Sequence, residues 1–397
     1  MPPLDYQTAG ESHGPGLVTT VTGLPAGLDL DEDFINAELR RRQGGYGRGG
    51  RQRIETDRVE WLTGVRRGRT TGAPLTIFIV NKDSRLDDLA RTPPVYRPRP
   101  GHADLAGSVK WLTTDCRETL ERASARETAA RTAAGAVARC LLREFGIEAF
   151  AFPRSIGGER TDVAVTANNW RELRELRNAS DTYCPDSEAS ERQREAVRKA
   201  KTEKDTAGGL VECHLFGCPP GIGSCTDWRD KLDARLAYAV MGIQAFKAVE
   251  IGLGRACADL PGSAVHDPIA FDPAKIDTST LGFVRERNNA GGLEGGMTNG
   301  EPVVVTGTMK PIATLLQGMP SVDLNTKQPE RSAYERSDVS AVSAASVVLE
   351  NVAAFELARC FREKFSGDSM TETRAQFDAF MQIARTLPLD PPTATLA

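Results

Sequence analysis

The sequence predicts an α+β fold of layered antiparallel strands and helices, and three observations carry that prediction. Short β-branched-rich runs bounded by Gly, Pro or Asn recur along the chain. Long Ala-rich helical patterns stand between groups of these runs. The spacing lacks the regular strand–helix alternation of a doubly wound sheet.

In chain order, residues 17–22, 59–65 and 75–80 read as strands. Residues 31–42 read as a helix, with acids in the first turn, three Arg in the last and Gly44 just beyond. Residues 124–145 read as a second helix, with Ser124 and Glu127 at capping-box spacing and Gly146 at the stop. A highly charged helix with a solvated face follows at 186–202, then strands at 210–216 and 303–309, and a last long helix at 338–365. Residues 1–386 are expected to form a single domain, and 387–397, with three Pro and no packing pattern, a flexible tail. Ala138-Arg139-Cys140 with Phe145 is echoed by Ala358-Arg359-Cys360 with Phe365. If the echo is real, the two halves are related, and two helix N-termini could face one pocket.

Composition limits the function. Of 397 residues, 50 are Lys or Arg and 54 Asp or Glu, for a net charge of −4, so the chain as a whole is no polyanion binder. The cations are mostly Arg, whose planar fork suits carboxylate and phosphate. Eight Cys without CxxC pairs fit reduced thiols and a cytoplasmic protein. The first sixteen residues show no signal-peptide pattern and no apolar run reaches about 18 residues, so neither secretion nor a membrane span is expected.

Five segments carry candidate chemistry. Gly10-Glu11-Ser12-His13-Gly14 matches G-x-S-x-G, but only nine residues precede it, too few for the strands a nucleophile elbow needs. His13 between glycines is instead placed to approach a ligand. Residues 40–53, RRRQGGYGRGGRQR, hold six Arg and no acid. A fixed anion-binding loop is the reading preferred over an RGG-like RNA-binding arm. Arg97-Pro98-Arg99-Pro100-Gly101-His102 is a stiff turn with two Arg and a His. Arg122-Ala123-Ser124-Ala125-Arg126 opens a helix, where either an anion site or a plain cap with solvated Arg would fit. Residues 288–300, with five Gly, allow close backbone approach to a ligand. Cys213, Cys218, Cys225 and His214 lack metal-site spacing, so no metal is expected.

Taken together, TAGESHGPG, RRRQGGYGRGGR, RPRPGHADL, LERASARETAARTAAGAVA, KLDARLA with MGIQAFKAVEIGLG, NNAGGLEGGMTNGEP, MKPIATL and ERSDVSAV resemble the chorismate synthase family nearly end to end. The resemblance implies the family's β-α-β sandwich and conversion of 5-enolpyruvylshikimate 3-phosphate to chorismate by 1,4-anti elimination of phosphate. It implies reduced FMN as cofactor without net redox change, NADPH at most as an indirect reductant beside a separate flavin reductase, and a homotetramer. Nucleic acid and membrane are not implied partners.

Carried over residue by residue, the resemblance makes His13 the general acid toward the leaving phosphate. His102 would act on flavin near N1, and Asp338 would draw a proton from flavin N5. Arg42, Arg48, Arg51, Arg99 and Arg126 would hold the anions, with Ser337 nearby, and Arg42 and Arg48 are also where the family places NADPH. Flavin contacts map to Arg122, Ala123, Ser124, Gln244, Ala245, Gly295, Lys310, Pro311, Ile312, Ala313, Thr314 and Arg336. Gln244 stands where family members often have Asn. The rival readings are a flavin-dependent oxidoreductase with the same Arg-rich pocket and an RGG-type RNA-binding protein.

Overall fold

The structure is a computed structural model that describes residues 3–50, 54–335 and 338–387. Strands β1 (Asp5–Ala9), β2 (Gly16–Thr22), β3 (Glu60–Thr63) and β4 (Leu75–Val80) form an antiparallel sheet in the order β1-β2-β4-β3. Along β4, Leu75, Ile77 and Ile79 point inward while their neighbours do not, the period-two pattern of a sheet with one face on a core. The strand expected at 59–65 stops at Thr63. Gly64 takes φ +81°, and a Cβ there would lie 2.5 Å from Leu75 Cα, so the chain turns into a separate short hairpin.

Helix α1 (Glu32–Gln43) starts at Asp31, whose carboxylate accepts from Phe34 N at 2.9 Å, and it ends at Gly44. Two short helices, α2 (Asp104–Trp111) and α3 (Arg117–Arg122), lead to α4 (Thr128–Arg143). The capping box expected at Ser124 is not formed. Ser124 caps a 3₁₀ turn, Ala125–Glu127, and the Glu127 carboxylate is taken by Thr8 Oγ1 at 2.6 Å and Gln244 Nε2 at 3.0 Å.

Strand β5 (Glu148–Ile156) and the short β6 (Glu159–Arg160) precede helices α5 (Trp170–Ala179) and α6 (Ser187–Thr202). Then come β7 (Gly209–Phe216), α7 (Leu232–Met241), β8 (Phe246–Ile251), β9 (Val303–Met309), α8 (Val342–Lys364) and α9 (Met370–Ala384). The second sheet, in the order β8-β9-β7-β5-β6, is antiparallel throughout.

Fourteen of the sixteen residues of α4 are buried, as are twenty of the twenty-three of α8, so these helices are covered all round. Helix α4 lies against β2 and α8 against β5 and β7, with each other between. This is a sheet–helix–sheet sandwich with a main apolar core drawn from Leu4 to Phe365 and two smaller clusters, around Phe150 and around Val95. The two helices touch where Gly135 faces Asn351; a Cβ on Gly135 would sit 2.3 Å from Asn351 O. Their N-terminal ends reach the same cavity.

A buried charge cluster crosses the helix layer. Glu350 takes Arg41 Nη2 and Arg177 Nη1, each at 2.8 Å, and Arg139 Nη1 holds Glu38 at 2.7 Å. Burial alone would raise the Glu350 carboxyl, but the three guanidiniums hold it far below the usual carboxylate range. Part of the Arg excess is therefore structural. The last long helix begins at Val342 rather than at 338, because the Asp338 carboxylate turns back to the Arg48 loop. The tail expected at 387–397 lies, from residue 388 on, outside the described residues.

Candidate active site

A cavity of about 650 Å³ opens between the N-terminal ends of α4 and α8, beneath the loops around His13, Arg48, His102 and Lys310. It collects His13, Arg42, Arg48, Arg99, His102, Ala123, Ser124, Arg126, Gln244, Ala245, Lys310, Ile312, Ala313, Thr314 and Asp338. Fifteen residues singled out from widely separated segments thus share one wall. Three others do not reach it. The Arg122 guanidinium turns away to Thr8 O (2.9 Å) and Gly10 O (3.0 Å), bracing the His13 loop from behind. Gly295 sits at φ +58° in the tight turn between Leu293–Glu294 and Met297–Thr298. Pro311 faces a separate open groove beside α6. Arg51, Arg336 and Ser337 lie outside the described residues.

Both imidazoles are held by buried carboxylates. His13 Nδ1 lies 2.9 Å from Glu121 Oε1, and its backbone N–H donates to Glu121 Oε2 at 2.8 Å. His13 Nε2 stands 3.3 Å from Arg85 Nη2 and 3.7 Å from Asp83. Burial raises the Glu121 carboxyl, but hydrogen bonds from His13 and the charge of Arg117 outweigh it and hold the group below its ordinary value. His102 Nδ1 makes a short contact to Asp104 Oδ1. The same fully buried carboxylate takes Arg99 Nε at 2.8 Å and Nη2 at 3.0 Å, and Arg99 Nη1 donates to Thr314 Oγ1 at 2.9 Å. Burial would raise Asp104, and His102 with Arg99 more than reverse this.

The guanidiniums are fixed in the same way. Arg126 Nη1 donates to both oxygens of Asp57 at 2.7 Å and Nε to Asn81 Oδ1 at 2.8 Å. Arg42 Nε donates to Thr128 Oγ1 and Nη2 to Ala125 O, with Asp57 3.6 Å from Nη1. Burial lowers Arg42 to about 9 against the pull of Asp57, and Arg126 and Arg48 add to the fall, so it remains a cation at neutral pH. Arg48 Nη1 meets Asp338 Oδ2 at 2.6 Å, and Gly49 N donates to Oδ1 of the same carboxylate at 2.6 Å.

The wall carries seven Lys or Arg side chains against four carboxylates, an excess suited to a multiply anionic ligand. Arg42 Nη1, Arg48 Nε and Gln244 Oε1 are buried polar atoms without a hydrogen-bond partner among the described residues. Such atoms at a cavity wall are what a bound polar ligand would satisfy. Ala245, at φ +69°, holds a left-handed backbone conformation on the same wall.

The sequence reading missed Glu121, Asp104, Asp57, Asp83, Arg85 and Lys247. Only Asp104 had a local signal, two residues after His102 in a stiff turn. Glu121 lies 108 residues from His13, and Asp57 69 from Arg126.

A family model described as chorismate synthase matches residues 4–361. A chorismate synthase of Geobacter metallireducens is 49% identical over 395 residues, covering 96% of this chain and 99% of that protein. One of Thermoanaerobacter pseudethanolicus is 49% identical over 376 residues, covering 95% and 98%. A crystal structure of chorismate synthase superposes with a TM-score of 0.78 at 38% identity, over 96% of this chain and 98% of the other.

Proposed function

This chain belongs to the chorismate synthase family, and on that premise we propose how its cavity converts 5-enolpyruvylshikimate 3-phosphate to chorismate and phosphate. The observation that carries the reading is the convergence of His13, His102 and Asp338 with four fixed guanidiniums on one wall. The substrate's phosphate and two carboxylates need several cations that do not reorganise on binding, and Arg42, Arg48, Arg99 and Arg126 are each held before a ligand arrives.

The reaction is a lyase reaction with FMN as cofactor. Gln244 Oε1, without a hydrogen-bond partner among the described residues, forms with Ala245, Lys310, Ile312, Ala313 and Thr314 a polar cradle that fits a flavin, and Ala123 and Ser124 line the same cavity. A bound, reduced flavin would supply electron density to the allylic system and a place for the C6 hydrogen to go. His13, its Nδ1 tied to Glu121, offers Nε2 to the departing phosphate oxygen as the C–O bond breaks. His102, fixed by Asp104, is a second proton donor lining the cavity, and Asp338 is the carboxylate that accepts a proton. The guanidiniums hold the substrate, and Arg42 and Arg126 balance the charge that grows on the phosphate.

NADPH in this reading acts only as a remote reductant through a separate flavin reductase; NADPH oxidation by the isolated chain with FMN would count against it. The eight cysteines are all free, which supports placement in a reducing cytoplasm. We assign a homotetramer, to be checked by light scattering. Anaerobic incubation with dithionite-reduced FMN and the enolpyruvyl substrate tests the whole. Chorismate and phosphate should appear one for one over many turnovers per flavin. Reductant consumed stoichiometrically with product would point instead to an oxidoreductase. The RNA-binding alternative is disfavoured because the Arg48 side chain, only 10% exposed, is paired with Asp338 rather than solvated.

A further inference from the structure

We propose that Glu121 is the positioning residue that sets the tautomer and aim of His13, an inference that rests on the reading of His13 as the acid. One carboxylate does two jobs at the same residue. Oε2 accepts the His13 backbone N–H at 2.8 Å, and Nδ1 sits between the two oxygens, 2.9 Å from Oε1 and 3.0 Å from Oε2. Glu121 is buried, and Arg117 Nη1 approaches Oε1 at 3.5 Å. An ionised carboxylate only accepts, so Nδ1 carries the proton, and Nε2, with Arg85 Nη2 at 3.3 Å and Asp83 at 3.7 Å, is the nitrogen left on the cavity wall. The anion also complements the positive ring that exists while His13 has a proton to give. Arg117 passes on to Glu335 at 2.8 Å, which keeps the carboxylate from swinging away. The counterpart behind His102, Asp104, is shared between His102 and Arg99, so its removal would disturb two groups. Glu121 is also approached by Arg117, so the ring spectrum and the His13→Ala background are what separate its effect on His13.

The informative substitution is Glu121→Gln, because shape is kept and only the bonding pattern changes. The His13 backbone N–H can only donate and therefore claims the amide oxygen. The amide NH₂ then takes the Oε1 position, the nearer of the two to Nδ1, and sets a donor against the Nδ1 proton; this favours Nδ1 as an acceptor with the proton on Nε2, and disfavours the doubly protonated ring.

The full chain with only four His is suited to ¹⁵N-imidazole NMR, with His13 assigned from the His13→Ala spectrum. In the wild type the neutral His13 ring should carry its proton on Nδ1, the form less favoured by free imidazole. In Glu121→Gln it should shift to Nε2. With reduced FMN bound, kcat should fall about 10²-fold at unchanged KM. In the His13→Ala background the same substitution should cost nothing further, since a group that acts through His13 has nothing left to act on.

An Nε2–H ring in the wild type, measurable without any variant, overturns the proposal. So does a tautomer unmoved in Glu121→Gln, or an equal loss of kcat in both backgrounds. Should His13→Ala turn over like wild type with flavin bound, the role of His13 as acid falls, while the NMR arm still decides whether Glu121 sets the ring.

Discussion

Asp57→Asn tests whether the arginines of the cavity are held in place by the carboxylates behind them. The Asp57 side chain is fully buried, accepts two 2.7 Å bonds from Arg126 Nη1, and stands 3.6 Å from Arg42 Nη1. Asparagine has nearly the same shape but no charge, and one of its terminal atoms donates toward a guanidinium. Two neighbouring buried cations then lose their shared counter-charge. Breaking a buried pair by removing one partner costs about 3–5 kcal/mol. With an unfolding entropy of about 2.1 cal/mol/K per residue, a chain of this size should lose roughly 4–6 °C in Tm. The same vacancy of charge is open to an anion, so inorganic phosphate should raise the Tm of the variant by more degrees than that of the wild type. Differential scanning fluorimetry with and without phosphate, at constant ionic strength, reads both effects. A Tm loss under about 1 °C, or equal phosphate shifts in the two proteins, would refute the argument that Asp57 neutralises the pair.

Three other outcomes are expected. His13→Ala and Asp338→Ala should each lower kcat about 10²-fold with FMN still bound, and wild-type turnover in either would remove that residue from the mechanism. Gly135→Val should drive α4 and α8 apart, since even a Cβ would lie 2.3 Å from Asn351 O; a loss of about 3 kcal/mol or more in urea unfolding is expected, and none would mean the helices yield freely. Glu212, buried between Arg154 and His214, is pushed up by burial but pulled down to about 2 by hydrogen bonds from His214 and Arg154. The unfolded chain binds its proton near pH 4.3, so the roughly 3 kcal/mol this group contributes is complete above that pH and is lost as the pH falls toward 2. Stability of Glu212→Gln should therefore drop less between pH 6 and 3 than that of the wild type, and parallel curves would count against the assignment.

How far the sequence could be read depended on how local each signal was. Strand β4 alternates within six residues, and α1 carries its own cap and stop, so both were legible. Strand β5 was not, because it is covered over most of its length; its continuous apolar run, interrupted by Pro153, shows no period of two. Helix α9 does have a complete capping box in Ser369 and Glu372, a signal present in the sequence and passed over. At Ser124 the same pattern misled, since Thr8 and Gln244, far away in sequence, compete for Glu127. The cationic half of the site was visible because Arg in Gly- and Pro-rich loops is unusual. The acidic half was hidden, because nothing local marks one carboxylate among 54 as the partner of an imidazole or guanidinium distant along the chain.

That hidden half explains how so many cations can share one small space. Arg126, Arg99 and Arg48 each have a carboxylate within 2.8 Å, so each fork is fixed without a ligand. Lys247 and Lys310 line the same cavity with no ion pair among the described residues, and burial followed by the charge of Lys247 lowers the Lys310 ammonium. The two classes answer differently to an anion. A fixed, already neutralised Arg contributes orientation and little long-range pull. An unneutralised Lys draws the ligand in and gains its missing counter-charge on binding. Replacing Lys310 by Met should therefore raise KM and flatten its dependence on salt while sparing kcat, whereas loss of Arg126 should reduce kcat as well, because a misplaced phosphate no longer meets His13. Equal effects on kcat from the two substitutions would mean that the distinction between steering and fixed cations is wrong.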